Sequence, residues 1–349
     1  MTHKYFKNSK NYSKKCKGRF SVETIKVAIL GFGTVGQGIY HIINERKLQF
    51  KEQLGYEVEV AKILVTNTER ERVAGTKHLL TNDINEVLAV PGLQVVFEAI
   101  VNEEPAYSFL KAAVQKKCHV VTANKVMFAK RGEELQQLAK QNGVSVGFEA
   151  SVAGGVPIIK TLKNIMLVNE VKSIQGILNG TTNYILTKMR TEKQSFEKAL
   201  KDAQQLGYAE ADPYNDVSGQ DAFKKLMILS SLAFGKQPNW SEVEVTGIDT
   251  ITLEMVEEAS KQNLRYRHVA EIIRNEDGKI VGKVTPLLVD KDHPLFQVDD
   301  IYNAITIDTN YIGILTLIGP GAGMYPTASV MIEDYVEIAL RKKSVVYSK

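Results

Sequence analysis

Three glycines, Gly31, Gly33 and Gly36, lie between a short β-prone run, residues 25–30, and a helix-compatible run, residues 37–46. No other feature of the sequence constrains the fold so tightly. The first glycine permits a tight turn, the second lets backbone approach a pyrophosphate, and the third lets helix and strand pack closely. The helix start adds free amides and a partial positive charge. Gly31, Phe32, Gly33, Thr34, Val35 and Gly36 are therefore expected to cradle a dinucleotide. The spacing alone is weak evidence, and it gains weight from the pattern of strands and helices downstream. Apolar strands are expected at 58–65, 95–98 and 119–122, with helices at 84–88, 105–116 and 132–141 between them. That alternation predicts an α/β unit with a parallel sheet covered by helices on both faces.

After Glu149 the rhythm changes. Residues 151–157 form a turn-rich bridge. Strands are expected at 171–178, 279–286 and 304–309, and helices at 158–167, 183–189, 196–206, 220–234 and 253–262. This is an α+β pattern. Gly319-Pro320-Gly321-Ala322-Gly323 breaks the chain before a last helix at 328–341. The expected division is a tail at 1–24, a dinucleotide unit at 25–150 completed by about 320–345, and a second unit at 151–319.

Composition narrows the partners. No stretch approaches the ~20 continuous apolar residues of a membrane span. The two cysteines, Cys16 and Cys118, lack metal-ligand spacing, and no disulfide framework is possible. Residues 1–24 carry seven basic side chains against Glu23 alone, so the net charge of +4 sits in the tail and the body is slightly acidic. A solvated, poorly ordered tail is expected. The chain reads as a cytoplasmic protein with no nucleic-acid or membrane partner. His41, His78, His268 and His293 show no metal spacing.

An acid at the end of the second strand would bind the ribose 2′-hydroxyl of NAD. Here the strand runs into Thr66-Asn67-Thr68, with Arg70 and Arg72 beyond. Either arginine can meet a 2′-phosphate, which favours NADP, with NAD as the alternative. The plainer reading is that both begin a solvated helix.

The acid-rich run from Gly207 to Lys225 carries the chemistry. Glu210, Asp212, Asp216 and Asp221 precede an otherwise apolar helix. Asp221 and Lys225 are four apart and share a helical face, whereas Lys224 is turned away by roughly 100°. A surface salt bridge worth about 0.2–0.5 kcal/mol is one plain account. A capping box from Ser218 to Asp221 is another. The density of carboxylates beside one lysine instead suggests a receptor for an ammonium group with a proton carrier.

Gly-Tyr-Ala-Glu-Ala-Asp-Pro at 207–213, followed by Asp216, Gly219, Asp221 and Lys225, resembles the signature of homoserine dehydrogenases. The resemblance spans 25–340 and includes Thr122-Ala123-Asn124-Lys125, residues 149–157, residues 179–186, Gly319–Gly323 and Pro326–Ser329. It implies a Rossmann-type nucleotide domain and an α+β catalytic and dimerisation domain. Lys225 then corresponds to the proton-transfer lysine, assisted by Asp221. Glu210, Asp216, Asp221, Thr181, Tyr208 and Lys125 correspond to substrate-binding positions. Arg70, Lys125, Gly207 and Gly323 join the cradle as cofactor positions. Glu149, Val152, Gly154 and Val156 correspond to a monovalent cation site, sodium being the expected ion, formed largely of backbone carbonyls.

The reaction implied is NAD(P)-linked interconversion of L-homoserine and L-aspartate 4-semialdehyde by a homodimer. Relatives with a carboxy-terminal regulatory domain continue past the position of Lys349, so weak or absent inhibition by threonine is expected. Two rivals compete with this reading. One is an aldehyde oxidation through a Cys118 thioester, for which Cys118-His119 is the available pairing. The other is a catalytically silent dinucleotide sensor.

Overall fold

The computed structural model describes residues 23–346, the side chains of 341–346 excepted. The expected tail therefore lies almost wholly outside the described residues. The first sheet contains β1 (Thr24–Leu30), β2 (Glu57–Leu64), β3 (Leu80–Thr81), β4 (Leu93–Glu98), β5 (His119–Thr122) and β6 (Val146–Gly147). Its order is β3-β2-β1-β4-β5-β6, parallel throughout. The order reverses between β1 and β4. Ligands of such sheets bind outside the carboxyl ends of the strands at that switch point, which here falls at Leu30 and Glu98.

Helices α1 (Thr34–Glu45), α2 (Lys47–Leu54), α3 (Ile84–Leu88), α4 (Ala106–Gln115) and α5 (Lys125–Asn142) connect these strands. The helix expected at 132–141 thus starts earlier. Asn124 supplies the start signal, accepting the Met127 amide at 3.0 Å. Residues 66–72 form turns rather than the start of a helix, so that account of Arg70 and Arg72 fails.

The second sheet contains β7 (Val171–Ile177), β8 (Glu244–Val245), β9 (Arg265–Arg274), β10 (Ile280–Val289), β11 (Tyr302–Thr309) and β12 (Ile314–Pro320). Its order is β12-β11-β7-β9-β10-β8, antiparallel except between β10 and β8. The sequence reading missed β8, β9 and β12. Charged residues mask β9, yet its Arg267 is fully buried, with Asn183 accepting from Nη1 and Asp299 and the Phe296 carbonyl from Nη2 of the guanidinium. β12 ends in Gly319-Pro320, read as a chain break; proline is tolerated because this is an edge strand.

The helices of this half are α6 (Ile158–Ile165), α7 (Gly180–Glu192), α8 (Phe196–Gln205), α9 (Tyr214–Val217), α10 (Gln220–Phe234) and α11 (Leu253–Lys261). The last helix, α12 (Met324–Val346), returns to the first sheet. Its Ala328, Met331 and Tyr335 share one buried cluster with Val27, Ile29 and Ile39 of β1 and α1. A second cluster joins Val96 and Val120 of the first sheet to Phe223, Leu226 and Ile272 of the second half. The two sheets therefore meet across a shared apolar core along α5 and α10. Among the described residues, no helix is long and apolar enough to cross a membrane.

Candidate active site

The glycine turn fits its expected use. A Cβ on Gly31 would stand 2.7 Å from the Ala99 carbonyl oxygen, and one on Gly36 would stand 2.1 Å from the Gly31 oxygen. Gly33 has open space around it. It precedes α1, whose first turn carries neither a side-chain cap nor an acid. The helix start is thus left bare for an anion. The Gly31 amide donates to the Leu64 carbonyl at 2.9 Å, so the loop after β2 begins beside this turn. Arg70 is exposed and Arg72 half-buried in that loop. Among the described residues neither forms an ion pair.

The acid and lysine groups converge where α5 and α10 meet. The Lys225 Nζ stands 2.7 Å from Asp221 Oδ2 and donates to the Leu178 carbonyl at 2.6 Å. Lys125, the first residue of α5, places its Nζ 2.5 Å from Asp221 Oδ1. Asp221 and Lys225 are both buried, while Lys125 is half-exposed. A surface salt bridge does not describe this arrangement. Lys224 turns away as expected, donating to Asn215 Oδ1 and the Gln220 carbonyl.

The capping-box account also fails. Ser218 donates to the Tyr214 carbonyl, and α10 is entered through Gly219 at φ +85° without a side-chain cap. Left-handed backbone of this kind favours glycine.

Burial disfavours the Lys225 ammonium and pushes its pKa down; the charge on Lys125 adds to the fall, and Asp221 opposes it. The attraction of Asp221 raises the pKa of Lys125 instead. Burial alone would push Asp221 up, but the two ammoniums outweigh it and hold the carboxyl well below the usual carboxylate range. Burial, with the nearby Asp221 charge, pushes Asp216 up against a hydrogen bond from Asn179.

Sequence reasoning assigned Asn179 no role of its own. Its Nδ2 donates to Asp216 Oδ1 at 2.7 Å and to Asp221 Oδ2 at 3.0 Å, and its Oδ1 accepts the Thr182 amide to cap α7. An asparagine directly before a helix-forming run was the available signal. Thr181 donates to the Tyr208 carbonyl at 2.7 Å, and Tyr208 lies edge-on to Tyr184. Gly207, at φ +76°, turns the chain into this loop. Glu210 is exposed and acts on Lys125 only through its charge. Gly323, at φ +125°, precedes α12, which packs so closely on α1 that a Cβ on Gly38 would meet the Met324 carbonyl at 2.8 Å.

At the bridge between the halves, the Glu149 carboxylate accepts the amides of Ile159 and Lys160 at 2.7 and 2.8 Å and so caps α6. Gly154 has φ +53°, and a Cβ there would stand 2.4 Å from the Gly321 oxygen. The Val156 carbonyl already accepts the Ile158 amide at 2.8 Å. Among the described residues, no cluster of three or more His, Cys, Asp or Glu side chains forms a metal site. Carbonyl oxygens are hard donors suited to a hard cation. Cys118 is buried, and burial pushes its thiol up, the setting of a structural thiol rather than of an activated nucleophile.

Comparison with known proteins places both halves of the chain in one family. The family described as "Homoserine dehydrogenase, NAD binding domain" matches residues 31–149, and that described as "Homoserine dehydrogenase" matches 157–336. The chain is 40% identical over 318 residues to homoserine dehydrogenase of Bacillus subtilis, covering 91% of this chain and 73% of the relative. It is 34% identical to a relative from Pseudomonas canavaninivorans named NAD(+)-dependent homoserine dehydrogenase, covering 90% and 96%. The crystal structure of a homoserine dehydrogenase from Thiobacillus denitrificans superposes with a TM-score of 0.85 at 36% identity, covering 93% of this chain and 75% of that one. Family matches over both halves and relatives at this level of identity together show that the chain is a member of the homoserine dehydrogenase family.

Proposed function

We propose that this oxidoreductase interconverts L-homoserine and L-aspartate 4-semialdehyde with Lys225 as the proton carrier. The observation that carries the reading is the buried Lys225 ammonium beside Asp221 and Lys125. The dinucleotide, when bound, supplies or accepts the hydride. The protein must then position the substrate and handle one proton. An ammonium has three donor directions, and Leu178 and Asp221 engage two of them. The third serves the substrate oxygen. In reduction Lys225 donates a proton to the forming alkoxide; in oxidation its neutral amine takes the hydroxyl proton. Asp216 and Glu210 receive the substrate ammonium, and Thr181 and Tyr208 flank it. Gly207 and Gly323 close the loops around the dinucleotide.

Oxidation of L-homoserine followed at 340 nm tests the reading directly. Turnover dependent on homoserine supports it, and none with either dinucleotide sinks it.

NADP is the preferred form in this reading, held at its 2′-phosphate by Arg70 and Arg72. Arg70→Ala is expected to lower the ratio of kcat/KM with NADP to that with NAD about 10-fold, an ion pair's worth of ~1.4 kcal/mol. An unchanged ratio would reassign the specificity.

The chain divides into a dinucleotide unit at 25–150, completed by about 320–345, and a substrate and dimerisation unit at 151–319. A monovalent cation, sodium in the first instance, would be held by Glu149, Val152, Gly154 and Val156, largely through backbone carbonyls, and would stiffen the joint between the units. Sodium is expected to raise the melting temperature over a tetramethylammonium buffer of equal ionic strength. The exposed Ile314 and Ile318 of β12, four apart on one face, give the homodimer an apolar contact. Sedimentation equilibrium reads the dimer. The enzyme acts on small cytoplasmic metabolites.

A further inference from the structure

Glu98 ends β4 at the switch point of the first sheet and is wholly buried, yet the proposed proton transfer gives it no part. Its Oε2 accepts the Thr122 hydroxyl at 2.5 Å. Its Oε1 accepts the Ile100 amide at 2.6 Å and lies 3.5 Å from Asn124 Nδ2. The Thr122 oxygen in turn accepts the Asn124 amide at 2.9 Å. Asn124 also donates to the Asn102 carbonyl at 2.8 Å and caps α5 through its Oδ1. The next residue is Lys125, whose ammonium rests on Asp221. One carboxylate therefore ties the loop after β4 to the turn from which α5, and with it Lys125, departs.

We infer that Glu98 is a positioning residue for the reaction: through Thr122 and Asn124 it fixes the start of α5 and holds the Lys125 ammonium against Asp221. A buried carboxyl is costly unless its oxygens are bonded, and burial pushes this one up to about 7 against the donors of Thr122, Ile100 and Asn124. The bonds that offset the cost are the ones that reach both loops. The inference rests on the reading of Lys225 as proton carrier.

That dependence supplies the readout. The Lys225 amine is faced by Asp221 on its own helix, Lys125 on α5, Asp216 on α9 and the Leu178 carbonyl after β7. If Lys125 moves off Asp221, its repulsion of Lys225 weakens and Asp221 is left to Lys225 alone. Both changes raise the Lys225 pKa.

The experiment compares homoserine oxidation against pH in the wild type, Glu98→Gln, Thr122→Val and Thr122→Ser. In Glu98→Gln an amide N–H₂ faces N–H and O–H donors. The rising limb of kcat is expected to move up by about one pH unit and kcat at neutral pH to fall about 10-fold. Thr122→Val is expected to move the limb the same way by less, and Thr122→Ser, which keeps the hydroxyl, to restore it.

A folded Glu98→Gln with the wild-type limb and kcat within twofold overturns the inference. If that variant fails to fold, the two Thr122 variants decide, since equal limbs in both contradict the linkage. A wild type lacking the limb, or an active Lys225→Ala, rejects the reading of Lys225 instead.

Discussion

Lys225→Ala is expected to lose at least 10²–10⁴ in kcat in both directions, the ordinary worth of general acid–base catalysis, while keeping its fold and its dinucleotide affinity. Alanine is the best helix former, so α10 tolerates the change. The Asp221 carboxylate left behind still has the Lys125 ammonium at 2.5 Å, so no unpaired buried charge is created. The cost therefore falls on chemistry rather than on folding. In the wild type, oxidation needs the neutral amine and reduction needs the ammonium. Burial and the Lys125 charge lower the pKa of Lys225, so the oxidative rate climbs, and the reductive rate declines, at a pH below the free-lysine value of about 10.4. Steady-state assays in both directions, with a binding titration of the reduced dinucleotide, measure all three quantities. Turnover near that of the wild type would remove Lys225 from the mechanism.

Asp221→Ala is expected to damage both stability and activity. Asp221 is the only carboxylate in direct ion-pair contact with Lys225 among the described residues. Lys125 is half-exposed and can turn toward water, but Lys225 is buried on α10 and cannot. Stranding one partner of a buried pair typically costs about 3–5 kcal/mol, which denaturant unfolding reads easily. The pKa of Lys225 then falls further, because burial and Lys125 are left opposed only by the weaker attraction of Asp216. Reduction at neutral pH, which needs the ammonium, should suffer more than oxidation. Asp221→Asn keeps the shape and separates charge from packing. The folded carboxyl is held below its unfolded pKa. Its contribution is therefore present above the unfolded value and lost as pH falls toward the folded one, so Asp221→Asn should flatten the acid side of the stability profile. Wild-type stability in both variants would mean that the charges are compensated elsewhere.

Much of this arrangement was legible in the chain because it is local. The turn at Gly31, Gly33 and Gly36 obeys backbone sterics within six residues, and Asp221 and Lys225 share a face by helical period alone. The alternation of strand and helix sufficed to place the parallel sheet. What escaped depends on groups distant in sequence. The strand carrying Arg267 looks like a polar segment until Asp299 and Asn183 bury its guanidinium. Asn179 becomes part of the site only when β7 brings it to Asp216 and Asp221, residues 37 and 42 positions away. Glu98 likewise meets Thr122 across neighbouring strands 24 positions apart. Glu149 shows the reverse case. Its position in the sequence motif points to a cation site, and the structure adds a local role, its carboxylate accepting amides in the first turn of α6.

The most direct test of the central claim is a crystal structure of the enzyme with L-homoserine and a dinucleotide bound together. The Nζ of Lys225 should stand within hydrogen-bond reach, about 2.6–3.2 Å, of the homoserine hydroxyl oxygen, with Asp221 still between the two lysines. A hydroxyl oxygen farther from that amine than one bridging water, and bonded to another acid or base, would contradict the account.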